Sequence, residues 1–162
     1  MKKLFAIAVF ILLAVSVSAQ DGRSIYNKFS DEPGVSAVYI SPSMFKLIGK
    51  IPAIDLGDGG EKMDITPIIK SLSGFYLISC DNESLASKMS TDIKRFINSG
   101  SFELMMEAKD DGETVRIFTN GDDKTIQSFV MTVLGGGETT FISMDGLISR
   151  DDFERLLSTA ID

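Results

Sequence analysis

Four carboxylates, Asp55, Asp58, Glu61 and Asp64, follow one another at a constant spacing of three within a glycine-rich stretch. Hard oxygen ligands gathered by a pliable loop are what calcium takes, so a calcium-dependent or small-molecule binder or enzyme built on loop 55–64 is one function open to this chain. The spacing departs from the alternate-residue ligands of an EF-hand, and a solvated acidic loop has the same composition. Nucleophilic chemistry has less to work with. The 162 residues include no His, no Trp and a single Cys, so a Ser or Cys hydrolase of the usual kind lacks its base and a Cys/His zinc site lacks its ligands. Ser87-Lys88 and Lys70-Ser71 are neighbours on expected helices, where adjacent side chains diverge. Gly57-Asp58-Gly59-Gly60 and Gly135-Gly136-Gly137-Glu138 lack the Lys-Ser/Thr ending of a phosphate-binding loop, and the second reads as a hairpin turn. No catalytic residue, metal or cofactor is expected outside the acidic loop.

The net charge of −7, from 16 Lys+Arg against 23 Asp+Glu, repels phosphate backbones and argues against nucleic-acid binding. Residues 1–19 combine Lys2 and Lys3, an apolar run from Leu4 to Val15 and the small-residue end Val17-Ser18-Ala19. That pattern is a secretory signal peptide, cleaved before Gln20, with an apolar run too short for a comfortable bilayer crossing. Its removal sheds two lysines, moves the net charge from −7 to −9 and leaves one domain, 20–162, with no integral span. No Cys lies near the cleavage site for lipid attachment. The expected location is therefore the periplasm or the periphery of the cell envelope, not as a lipoprotein. Cys80, closing an apolar strand, is expected to be an inert buried thiol.

The elements follow from period and punctuation. A helix over about Gly22 to Ser30 stops at Pro33-Gly34, and β-branched Val35 to Ile40 forms a strand. Ser41-Pro42 starts a helix carrying Met44, Phe45 and Ile48 inward, and Gly49 to Lys62 is a long loop. Thr66-Pro67 opens a short helix through Leu72 with Gly74 as its C-cap, followed by a strand from Phe75 to Cys80. Glu83 to Asn98 is the clearest helix: Leu85, Met89, Ile93, Phe96 and Ile97 make one stripe, with Lys88, Asp92, Lys94 and Arg95 away from it. The period then switches to two, with strands meeting at Asp111-Gly112 and at Gly135-Gly136-Gly137. Ser149 caps a final helix that buries Phe153, Leu156, Leu157, Ala160 and Ile161. This order predicts an α+β two-layer sandwich, a mixed, mostly antiparallel sheet of about six strands with helices on one face.

Counting from the Asp111-Gly112 turn pairs Glu107 with Arg116 and Met105 with Phe118 on the outer face, and Met106 with Ile117 on the inner. Phe129 or Met131 would enlarge the outer group into an apolar patch, and such patches mark interaction sites. The first helix or the long loop would equally well cover it. Met105, Glu107, Arg116 and Phe118 are accordingly the candidate partner-binding residues.

The segments "FSDEPGVSAVYISPSMFKLI" and "IIKSLSGFYLIS", followed by an amphipathic helix and a run of antiparallel strands, resemble the bacterial envelope family catalogued as domain of unknown function 4252. Val38 to Phe45 is the most specific part. The resemblance implies a single envelope domain spanning the mature chain, with no activity or catalytic residue to carry over. The family includes predicted lipoproteins, and the missing cysteine here implies a soluble or peripherally held form. The reading favoured by residues and resemblance together is a non-catalytic exported module that binds an unknown envelope protein or itself. A spacer with neither patch nor pocket is a further possibility.

Overall fold

The computed structural model describes residues 21–48 and 66–161. The expected signal peptide and the four carboxylates of the acidic loop lie outside the described residues, as do the side chains of Ile48, Leu156, Leu157, Ala160 and Ile161. The elements are α1 (Arg23–Phe29), β1 (Val35–Ile40), α2 (Pro42–Ile48), α3 (Thr66–Ser71), β2 (Leu72–Cys80), α4 (Glu83–Ser99), β3 (Glu103–Asp110), β4 (Glu113–Gly121), β5 (Thr125–Gly135), β6 (Glu138–Ser149) and α5 (Arg150–Ile161).

Side-chain caps set three of the helix starts. Ser41 Oγ accepts the Met44 N–H at 3.2 Å, Asn82 Oδ1 the Leu85 N–H at 3.1 Å, and Ser149 Oγ the Asp152 N–H at 3.4 Å, each satisfying an amide that the first turn leaves unpaired. The α3 helix ends one residue earlier than its apolar spacing suggests. Leu72 already belongs to β2 and is buried, and Gly74 is a strand residue, not a C-cap. Met44 is half exposed while its neighbour Phe45 is buried, because a seven-residue helix turns only one narrow stripe toward the interior.

The strands form one sheet in the order β1-β2-β6-β5-β4-β3. All five ladders are antiparallel, including β1 with β2, so the helices between those two strands return the chain antiparallel and the sheet is not mixed. The β3–β4 turn places Asp111 at φ 43° and Gly112 at φ 84°, the positive values that a two-residue hairpin loop needs. Gly136 and Gly137, at φ 60° and 83°, do the same between β5 and β6. Gly135 is required for another reason: a Cβ there would stand 2.3 Å from the carbonyl oxygen of Gly112 in the neighbouring turn.

The architecture is an α+β sandwich. Residues paired across strands share a face, and β2, β5 and β6 all alternate between buried and less buried positions. The buried positions meet α1 and α4: Ile78, Cys80, Val130 and Phe141 from the sheet pack with Ile25 and Phe29 of α1 and Ala86, Met89, Ile93 and Phe96 of α4. Cys80 is buried as expected, its thiol donating to the Asn82 carbonyl at 3.7 Å. A second cluster of Phe45, Leu72, Ile126 and Ile148 engages Ile40, Phe75 and Met144 from the opposite face, so α2, α3 and the first turn of α5, through Phe153, gather at one end of that side.

Candidate functional site

The hairpin of β3 and β4 holds all four candidate partner-binding residues, and its register is the expected one from the turn as far as Met106. Glu107 pairs with Arg116 and Met106 with Ile117. Beyond Met106 the ladder shifts. Leu104, not Met105, pairs with Phe118, so Met105 is an extra, unpaired residue of a β-bulge and stands half exposed on the edge strand. The bulge carries no glycine and has no signature in the alternating pattern.

The two faces are also exchanged relative to the expectation. Phe118 pairs with Val130, and Val130 is fully buried beneath the α4 layer, so Phe118, Arg116 and Glu107 lie on the helix-covered side. Phe118 packs against that cluster and cannot serve as an outward docking residue. The reason is energetic: the side that carries Ile78, Phe141 and Val130 buries more apolar area under α4 than the side carrying Met106 and Ile117, and α4 takes the richer side.

What remains open is therefore the face of Met106 and Ile117. Val38 pairs with Leu77, Leu77 with Ile142, Ile142 with Met131, Met131 with Ile117 and Ile117 with Met106, so one unbroken apolar row crosses all six strands. None of these six side chains belongs to, or packs against, either buried cluster. Val38 and Met106 at its ends are 45% and 46% exposed. The flanking row Ser36-Ser79-Thr140-Val133-Val115-Ala108 is small and uncharged, whereas the row on the other flank, Ile40-Phe75-Met144-Phe129-Thr119-Glu103, is largely covered: Ile40, Phe75 and Met144 pack on the second cluster, Phe129 meets Phe153 of α5, and Thr119 is buried. Met131 does enlarge an apolar surface, but with Ile117 instead of Phe118, while Phe129 lies against Phe153 of α5.

Charged groups organise the covered side. Asp145 of β6 is buried and accepts from Gly22 N–H at 3.0 Å, Ser128 Oγ at 2.7 Å and Ser143 Oγ at 3.0 Å, fastening the start of α1 to β5 and β6. Burial pushes its carboxyl above the ordinary aspartate value, while the three hydrogen bonds, which favour the anion, pull the other way. Gly22 permits the approach, since a Cβ would overlap the Ser143 side chain at 2.2 Å. Asp92, expected on the solvated side of α4, is instead nearly buried and joins Lys28 of α1 at 2.6 Å and Arg95 at 2.9 Å. The Lys28 ammonium, hydrogen-bonded to it, holds its carboxyl below the ordinary value. Glu107 lies between Lys109 Nζ at 2.9 Å and Arg116 Nε at 2.6 Å, and those two bonds lower its pKa as well.

Among the described residues no group of three or more His, Cys, Asp or Glu is placed to hold a metal ion. No described helix is long and apolar enough to cross a membrane. The geometry offers a broad, uncharged sheet face suited to docking another surface.

Comparison with curated proteins and with solved structures returns no match. The model of one protein family, described as Domain of unknown function (DUF4252), matches residues 26–156, from the second turn of α1 to the middle of α5 and across every strand of the sheet. By that match over most of its length, the chain belongs to the DUF4252 family.

Proposed function

We propose that this protein is an exported, non-catalytic module of the cell envelope that associates with a second copy of itself through the open face of its sheet. The observation that carries the reading is the row Val38-Leu77-Ile142-Met131-Ile117-Met106, apolar at every strand and outside both cores. A continuous apolar surface in water is stabilised by burial, and a flat sheet face is buried most completely by another flat sheet face, stacked about 10 Å away. Strands ~4.8 Å apart and same-face rows ~6.8 Å apart give the two uncovered rows on six strands an area of about 400 Å². Two copies then bury about 800 Å², the size of a weak, reversible contact.

Charge favours a second copy in particular. The chain is strongly acidic, so two molecules repel over most of their surfaces, yet neither of these two rows carries a charged residue. An isologous contact brings the uncharged centre of each face together and leaves the acidic rims in solvent. The export half of the reading rests on the basic start, apolar run and small-residue end of residues 1–19.

Sedimentation velocity of the protein and of an Ile117→Lys, Met131→Lys variant tests the association. The expected result is a reversible dimer with a Kd of about 1–100 µM, as befits so small an interface, and a folded monomer for the variant. A wild type that stays monomeric at several hundred micromolar, or a variant that dimerises equally well, would end the proposal. Expression in the native host with N-terminal sequencing of the envelope fraction tests export, the expected first residue being Gln20.

A further inference from the structure

On the opposite, helix-covered side, α4 does not reach the β3 edge, and a half-open cleft of about 250 Å³ runs between the helix and β3, β4 and β5. Its walls are apolar: Ile93 and Ile97 from the helix, Phe118 and Leu134 from the sheet. Thr132, on the floor, is 1% exposed. Lys94 and Arg116 also line the cleft. Lys94 has no ion pair among the described residues, and Arg116 gives only Nε to Glu107, leaving its terminal nitrogens free of that bond. Glu107 is shared between Arg116 and Lys109, so one carboxylate faces two cations there, and Lys94 adds a third to the cleft lining. That is a locally positive spot on an acidic protein.

We infer that this cleft binds a small anionic amphiphile, a short-chain alkyl carboxylate, with the chain between Ile97 and Phe118 and the carboxylate at Lys94 and Arg116. The size limits the ligand. At roughly 30 Å³ for each water-sized group the cleft takes about eight heavy atoms, which a chain of six to eight carbons fills with its carboxylate at the mouth. The charge selects its sign: a neutral alcohol of the same length loses the charge-assisted hydrogen bonds, and an alkylammonium meets the cations directly. The inference is independent of the dimer, because the cleft and the open sheet face are on opposite sides of the sheet.

Methyl NMR of the protein titrated with octanoate, 1-octanol and octylammonium tests it. Octanoate is expected to saturate with a Kd of about 1 mM or tighter, shifting the methyls of Ile93, Ile97 and Leu134, with 1-octanol about tenfold weaker. Lys94→Gln should weaken octanoate about fivefold to tenfold and leave 1-octanol unchanged. Asn98→Trp, an exposed lining position, should block both ligands by filling the cleft without disturbing the core. The inference is overturned if octanoate instead shifts Leu77, Ile142 or Ile117 on the open face, if octylammonium binds as tightly as octanoate, or if Lys94→Gln changes nothing.

Discussion

Asp145 and Asp92 are both carboxylates in a helix-packed interior, and their surroundings give them opposite pH behaviour. Asp145 is desolvated and its pKa is raised, so the folded state holds its proton more tightly than the unfolded chain. Its contribution to stability is complete below the ordinary aspartate pKa and is lost as pH rises through the raised value. Asp145→Asn keeps an acceptor for Ser128 and Ser143 but turns a donor toward the Gly22 N–H, a loss of about 1–3 kcal/mol. Urea unfolding across pH should show the wild type's advantage over this variant largest below about pH 4 and shrinking as pH rises. Asp92 has a lowered pKa, set first by its hydrogen bond to Lys28, so its contribution is present above the ordinary aspartate pKa and lost as pH falls. Because Lys28 and Arg95 are half or more exposed, Asp92→Ala should cost no more than about 1 kcal/mol at neutral pH, with the gap closing in acid.

The helices and hairpins depend on a few local devices with separable costs. Removing the Asn82 side chain from the start of α4 leaves the Leu85 amide unpaired, and Asn82→Ala should lower stability by about 1 kcal/mol, read as a Tm fall of about 2–4 °C. The β5–β6 turn separates two effects of glycine. At Gly137 an added Cβ meets nothing within 4 Å but the φ of 83° is left-handed, so Gly137→Ala should cost about 1 kcal/mol. Gly135 has both an unfavourable φ of 144° and backbone at 2.3 Å, so Gly135→Ala should cost about 2–4 kcal/mol in the same melts. The hairpins were legible because Asp111-Gly112 and the glycine run announce their turns, and register propagates outward from a turn. It propagates only until a bulge, and nothing in Leu104-Met105-Met106 distinguishes the residue that will be left unpaired.

For the whole molecule, the open face and the net charge oppose one another, and ionic strength tips the balance. Screening of acidic rims weakens repulsion between copies, while apolar burial is indifferent to dilute salt or strengthened by it. Raising NaCl from 50 to 500 mM should therefore tighten self-association several-fold in sedimentation experiments, the reverse of what a contact held by ion pairs would show. The Ile117→Lys, Met131→Lys variant should stay monomeric at both concentrations.

Local pattern was enough to determine the order of helices and strands, the two glycine turns, the caps Ser41 and Ser149, the buried Cys80 and the α+β class, because each depends on residues within a turn or two of chain. The Glu107–Arg116 pair was legible for the same reason, lying a few residues either side of a turn. Which face of the sheet the helices cover was decided only in three dimensions. Both faces of the strands are apolar, so alternation marks two sides without naming the inner one. The choice fell to the summed burial of Ile78, Phe141, Val130 and Phe118 against α1 and α4, residues far apart in sequence. That choice moved Phe118 and Arg116 into a cleft beside α4 and left Met106, Ile117, Met131, Ile142, Leu77 and Val38 as a row outside both buried clusters.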